Sequence, residues 1–193
     1  MDYTPIETLV SSTLSPKRLI HSRSTAQQTR DLLVRFSKDT VEIDAGFAVG
    51  LWHDIAREWS DDALLSYCLS HKLPMEPEEL ARPMLLHGLV ASCMLSYLMG
   101  ETEPSWNLAV RWHTLGSRLM GTLGAALYIA DYLEPTRSHL SPGERDHLLE
   151  SESLEAMCLS IVINHEHHLD AKGMTLARST IGLKEFLLAG GRF

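Results

Sequence analysis

The chain is short of the features that commit a sequence to a specialised class. Its three cysteines, Cys68, Cys93 and Cys158, are odd in number, widely spaced and never in a C-x-x-C pair. That excludes a disulfide framework and a zinc knuckle, and reads as reduced, buried thiols. Strand signals are scarce: β-branched alternation is nearly absent, while Leu, Ala, Met and Glu dominate. No internal repeat, low-complexity tract or sustained heptad is present. The longest apolar run, residues 84–100, is interrupted by His87 and falls short of a membrane span. The N-terminus, MDYTPIETLV, lacks the basic start of a signal peptide. Basic charge is also short, with 17 Lys and Arg against 25 Asp and Glu and a formal net charge of −8. This argues against nucleic acid and against an anionic membrane as partners, since both want a net basic face. The expectation is a soluble, cytoplasmic chain.

What remains is helical. The chain has 193 residues, 45% of them hydrophobic, enough for one medium domain that buries roughly 70% of its unfolded surface without staples. Ser15 followed by Pro16 signals a helix start, and a helix from there to Lys38 carries His21 in its first turns. Further helices are expected over 42–57, 61–71, 84–99, 104–114, 121–135, 144–168 and 178–189. A Pro-rich connection, KLPMEPEELARP, has room for one helical turn. The reading is all-α: one helical bundle of about eight helices over 14–193, with 1–13 as an N-terminal extension. Apolar positions on the 84–99 helix exceed what one core face needs, which points to a homodimer.

The stretch AVGLWHDIAREW, residues 48–59, sets His53 and Asp54 side by side in an apolar run. His21, His87, His113 and Asp131 are likewise planted in apolar helix faces. Singly, each has a bland explanation as a satisfied core histidine or a solvated carboxylate. Jointly, several buried charged groups in one small core are costly without a shared counter-charge. A divalent metal supplies it, and imidazole with carboxylate suits iron, manganese, cobalt or zinc. Arg18 lies three residues before His21, and Arg57 three after Asp54, so each shares a helix face with a candidate ligand. Arg137 follows Asp131 past Pro135. Arginine forks match phosphate geometry, although any one of these, alone, is as readily a solvated helix-end charge.

The ordered set H…HD…H…H…D resembles the HD-domain metal-dependent phosphohydrolase superfamily, and more closely its YqeK-type symmetrical bis(5′-nucleosyl)-tetraphosphatases. The matching stretches are LSPKRLIHS (14–22), LWHDIARE (51–58), LLHGLVA (85–91), VRWHTLG (110–116) and YIADYLEPTR (128–137). HTLG followed by ADYLEP-x-R is the most specific part, and the resemblance spans residues 14–187. It implies a single HD-domain helical bundle and a divalent metal, iron first, on His21, His53, Asp54 and Asp131. It implies substrate contacts from Arg18, Asp54, Ile55, Ala56, Arg57, His87, His113, Thr114, Asp131 and Arg137, with a product-binding tail at 174–180. Two departures stand out: Leu115 where relatives have a second Thr, and Arg57 in place of Lys.

The implied reaction is hydrolysis of diadenosine tetraphosphate at its middle to two ADP, by attack of a metal-bound hydroxide on an inner phosphate. Asp54, His87 and His113 are the implied catalytic residues. The two histidines either protonate the leaving ADP or bind a second ion. The alternatives are an HD phosphohydrolase acting on another nucleotide, such as a deoxynucleotide or an alarmone, and a non-catalytic nucleotide sensor.

Other eye-catching stretches carry less. INHEHHLD (163–170) lacks the second His of H-E-x-x-H, because Leu169 stands in its place. His165 and His168 share a helix face there, and part of this stretch is expected near the substrate. GTLGAAL (121–127) reads as close helix packing. Trp52, Trp59, Trp106 and Trp112 are expected in the core before any adenine stacking.

Overall fold

A computed structural model describes residues 3–37, 39–99, 104–135 and 140–193. Those residues form eleven α-helices and one 3-10 turn, with no strand among them. In chain order the helices are α1 (Thr4–Thr13), α2 (Pro16–Phe36), α3 (Thr40–Trp52), α4 (Asp61–Ser70), α5 (Pro77–Ala81), α6 (His87–Met99), α7 (Pro104–Trp112), α8 (Gly121–Leu133), α9 (Pro142–Leu149), α10 (Leu154–Asp170) and α11 (Arg178–Leu188). The 3-10 turn, Pro83–Leu86, leads into α6. The all-α bundle expected from the sequence is the fold, with more and shorter helices than eight.

The centre of the bundle is α8. Every residue from Leu123 to Leu133 is buried, as expected for a helix apolar on all sides. Helices α2, α3, α7 and α10 pack around it. The α2–α3 crossing is the tightest, because two glycines remove the side chains there. A Cβ at Gly50 would sit 2.5 Å from the Ala26 Cα, and one at Gly46 2.5 Å from Leu33. The first thirteen residues contain α1, whose Ile6 and Val10 are fully buried in the same core.

Three helix expectations shift, each for a local reason. The 42–57 helix stops at Trp52; beyond it Ile55, Arg57 and Trp59 donate to the carbonyls three residues back, a tighter winding than the α-helix. The 84–99 helix begins only at His87, after the 3-10 turn. The single helix read over 144–168 is two: Glu150 caps the end of α9, and extended Ser153 starts α10 by accepting from the Ala156 N–H. All three cysteines are free thiols, with Cys68 and Cys158 buried. Burial pushes the Cys158 thiol well above its ordinary value, which suits packing and not reactivity.

Candidate active site

Helix ends deliver the polar residues to one place. Arg18 and His21 come from the first two turns of α2. The 3-10-like winding after α3 carries His53 and Asp54. His87 opens α6, His113 and Thr114 follow α7, and Asp131 comes from the last turns of α8. The start of α2 is tied to the turn after Asp54: Ser15 donates from its backbone N–H and its hydroxyl to Glu58, at 2.9 and 2.6 Å. Those two bonds hold the Glu58 carboxyl below its ordinary value.

Asp54 is the hub, with 2% of its surface exposed. Its Oδ2 accepts from Arg18 Nη1 at 2.7 Å and lies 3.5 Å from His21 Nε2 and 3.4 Å from His53 Nε2. Its Oδ1 faces the other way, 3.3 Å from His87 Nε2 and 3.6 Å from His113 Nε2. Asp131 Oδ1 closes the first lobe, 3.1 Å from His21 Nε2 and 3.7 Å from His53 Nε2. In the second lobe the His87 and His113 Nε2 atoms stand 3.1 Å apart, and the Thr114 hydroxyl lies 3.1 and 3.0 Å from them.

Three of the four imidazoles are held the same way. The Nδ1 atoms of His53, His87 and His113 lie 2.6, 2.6 and 2.7 Å from the carbonyls of Gly50, Met84 and Val110. A carbonyl only accepts, so each Nδ1 carries the proton and each Nε2 points into the cluster. His21 Nε2 and His53 Nε2 are buried and make no hydrogen bond, despite the nearby carboxylates. Close approach of donor-type atoms without hydrogen-bond geometry is what a set of ligands around a shared cation looks like. His21, His53 and Asp54, then His53, His113 and Asp131, then Asp54, His87 and His113, each bring ligand atoms within 4.8 Å of one another. The residues therefore fit a divalent ion, and the second lobe fits another.

Electrostatics agree. Burial opposes a charge on His53, but the Asp54 and Asp131 carboxylates outweigh it and raise its pKa to about 10. Burial would likewise raise Asp54, yet His53, His113 and His87 hold its carboxyl well below the ordinary range. Burial lowers His113 to about 4. The carboxylates thus demand a positive charge at the first lobe, and a proton on His53 supplies it when no ion does.

The cluster forms one wall of a cavity of about 700 Å³. Lys17, Arg18 and Arg57 line it with positive charge, and Met84, Leu85, Tyr128, Tyr132 and His165 add an apolar and aromatic side. Of the residues singled out from the sequence, Arg18, His21, Asp54, Arg57, His87, His113, Thr114 and Asp131 line this cavity. His53 is fully buried behind them. Ile55 and Ala56 lie in the core beneath the turn, and their side chains are not on the cavity wall. Arg137 lies outside the described residues. The four tryptophans do not line the cavity; Trp52 is buried and donates its indole N–H to the Ala91 carbonyl.

Within INHEHHLD, His165 reaches the cavity, its Nδ1 3.3 Å from the Tyr128 hydroxyl, while His168 is exposed. No side chain from 174–180 is on the cavity wall. The tail instead meets the turn after His113: Thr180 donates its hydroxyl to the Leu115 carbonyl, so the backbone at the departing position 115 anchors the tail. Sequence reasoning passed over Ser15, Glu58 and Glu134. Glu134 is fully buried, with Oε2 3.1 Å from His21 Nδ1; its spacing of three from Asp131, on one helix face, was the available signal.

No protein-family model matches the chain. It is 26% identical over 152 residues to the symmetrical bis(5′-nucleosyl)-tetraphosphatase of Bacillus subtilis, covering 79% of this chain and 80% of that protein. Its identity to the Staphylococcus aureus protein of the same name is 25% over 139 residues, covering 72% and 69%. Among solved structures, a protein from Clostridium acetobutylicum described as a predicted HD superfamily hydrolase involved in NAD metabolism superposes with a TM-score of 0.86, at 26% identity and over 98% of both chains. The HD-centred cluster, the all-α fold and these likenesses in sequence and structure make the chain similar to HD-superfamily hydrolases.

Proposed function

We propose that the protein is a metal-dependent hydrolase that cleaves diadenosine tetraphosphate symmetrically to two ADP. The observation that carries this reading is the convergence of four imidazole Nε2 atoms on the Asp54 and Asp131 carboxylates, at the wall of a cation-lined cavity. The relatives named symmetrical bis(5′-nucleosyl)-tetraphosphatase support the choice of substrate. His21, His53, Asp54 and Asp131 would hold the ion, with iron first and manganese, cobalt or zinc as other fits to this donor set. When bound, a divalent ion supplies Lewis-acid charge to a phosphoryl group and acidifies a water.

The protein's own groups do the rest. Lys17, Arg18 and Arg57 bring positive charge to the polyphosphate and offset the charge that builds on its oxygens. Arg18 also holds Asp54 Oδ2 at 2.7 Å, which keeps the carboxylate turned so that it serves both lobes. Arg137 joins this set as a phosphate contact, and Ile55 and Ala56 contribute through the backbone of the turn. Thr114 sits between His87 and His113, within reach of a phosphoryl oxygen. The substrate is a soluble dinucleotide in the cytoplasm, and a homodimer remains part of this proposal.

The second lobe favours a second cation over a proton donor. His87 and His113 both donate from Nδ1 to a backbone carbonyl, so two lone pairs face each other 3.1 Å apart. His113 is in addition held neutral down to about 4 by burial. Such a pair accepts charge more readily than it supplies a proton.

Chromatography of the products tests the function. Incubated with diadenosine tetraphosphate, the protein should release ADP alone, lose activity on chelation and regain it with iron or manganese. ATP with AMP would keep the metal site and overturn the cleavage position. Preference for a nucleoside monophosphate would replace the substrate, and nucleotide binding without turnover under added iron would make the protein a sensor.

A further inference from the structure

His21 differs from the other three histidines of the cluster in what holds its outer nitrogen. His53, His87 and His113 stand at helix ends, where the carbonyl three residues back accepts from Nδ1. His21 lies within α2, where such carbonyls are taken up by the helix's own i to i−4 ladder. Its Nδ1 must find an acceptor on another element, and that acceptor is Glu134 Oε2 at 3.1 Å.

Both ring nitrogens of His21 therefore face carboxylates from the end of α8: Nδ1 faces Glu134, and Nε2 faces Asp131, also at 3.1 Å. Only the Nδ1 contact has hydrogen-bond geometry; Nε2 makes no hydrogen bond. The proton is accordingly on Nδ1 and the lone pair on Nε2, aimed into the cluster. A carboxylate in place of a neutral acceptor also makes the imidazole a stronger electron-pair donor.

Glu134 is itself held in place. It is the residue that ends α8, where backbone carbonyls lack partners within the helix. Arg145 of α9 donates from Nε to the Leu133 carbonyl at 2.7 Å and from Nη2 to the Glu134 carbonyl at 3.2 Å. A cation at a helix C-terminus is favourable for the same reason. The guanidinium pins the backbone that carries the carboxylate, and the carboxylate pins the ring.

We propose that Glu134 is a positioning residue of the metal centre: it accepts the hydrogen bond from the Nδ1–H of His21, fixes which nitrogen His21 offers to the ion, and strengthens that nitrogen as a ligand. This rests on the metal-centre reading given above.

Calorimetric titration of the metal-free protein with Co²⁺, with the visible spectrum of the Co²⁺ form recorded alongside, tests it on wild type, Glu134→Gln and Glu134→Ala. Glutamine still accepts from Nδ1 but lacks the charge; alanine does neither. Co²⁺ affinity should fall about 10- to 100-fold in Glu134→Ala, with an altered spectrum, and the loss should be partly restored in Glu134→Gln. Thermal unfolding of the metal-free variants identifies any that fail to fold, and near-isosteric Glu134→Gln carries the test if alanine does. Wild-type affinity and spectrum in a folded Glu134→Gln and Glu134→Ala would overturn the inference while leaving the metal reading intact. No Co²⁺ binding by wild type would overturn the metal reading, and the inference with it.

Discussion

Asp54 divides its two oxygens between two sets of imidazoles, and this division sets the pH behaviour of the cluster. In the metal-free protein the carboxylates raise His53 from 6.5 to about 10. A folded-state pKa above the unfolded one contributes stability that is fully present below about 6.5 and is lost as pH rises through about 10. Asp54 has the opposite sign: its depressed carboxyl contributes stability above its ordinary 3.8, lost as pH falls through the lower folded value. A divalent ion needs His53 neutral, so it must displace the proton that the carboxylates retain. Across the window from 6.5 to 10, metal affinity should rise with pH and binding should release about one proton per ion. Calorimetry at pH 8 in buffers of different ionisation enthalpy reads that number directly; metal binding without proton release would contradict the picture.

The elements matter because the site is made of helix ends. Gly50 illustrates the link from packing to chemistry. Its missing side chain lets α3 lie against Ala26 of α2, and its carbonyl accepts from His53 Nδ1 at 2.6 Å. In Gly50→Ala the new Cβ meets the Ala26 backbone at 2.5 Å, so the two helices must part. Overpacking of this kind costs about 1–3 kcal/mol, and it should weaken metal binding as well, since the displaced helix leads directly into His53 and Asp54. Urea unfolding and a metal titration on the same variant measure both; unchanged values in both would mean that the crossing is looser than described. The helices themselves were largely legible from punctuation: Ser15-Pro16 before α2 and Pro135 after α8. Of the three boundaries that shift, two show why. Apolar residues continue past Trp52, so the tightening into 3-10-like winding leaves no mark in the pattern. Likewise Glu150–Ser153 reads as helix-compatible until the Ser153 cap is seen.

At the scale of the molecule, the bundle exists to bring five remote segments to one cavity. Histidines and aspartates set in apolar runs announced themselves, because their burial needs a reason; His21, His53, Asp54, His87, His113 and Asp131 do come together. Glu134, Ser15 and Glu58 did not announce themselves, since a Glu or Ser beside a helix end is ordinary and only the tertiary contact gives it meaning. Ile55 and Ala56 came with the family resemblance, and the structure buries both side chains. The central claim is that this convergence is a catalytic metal site centred on Asp54. The most direct measurement titrates metal-free wild type and Asp54→Ala with Fe²⁺ or Mn²⁺, following bound metal and ADP release from diadenosine tetraphosphate together. Wild-type turnover should rise in proportion to bound metal, while folded Asp54→Ala should bind poorly and release almost no ADP. Full hydrolysis by metal-free wild type, or by Asp54→Ala without bound metal, would contradict the claim.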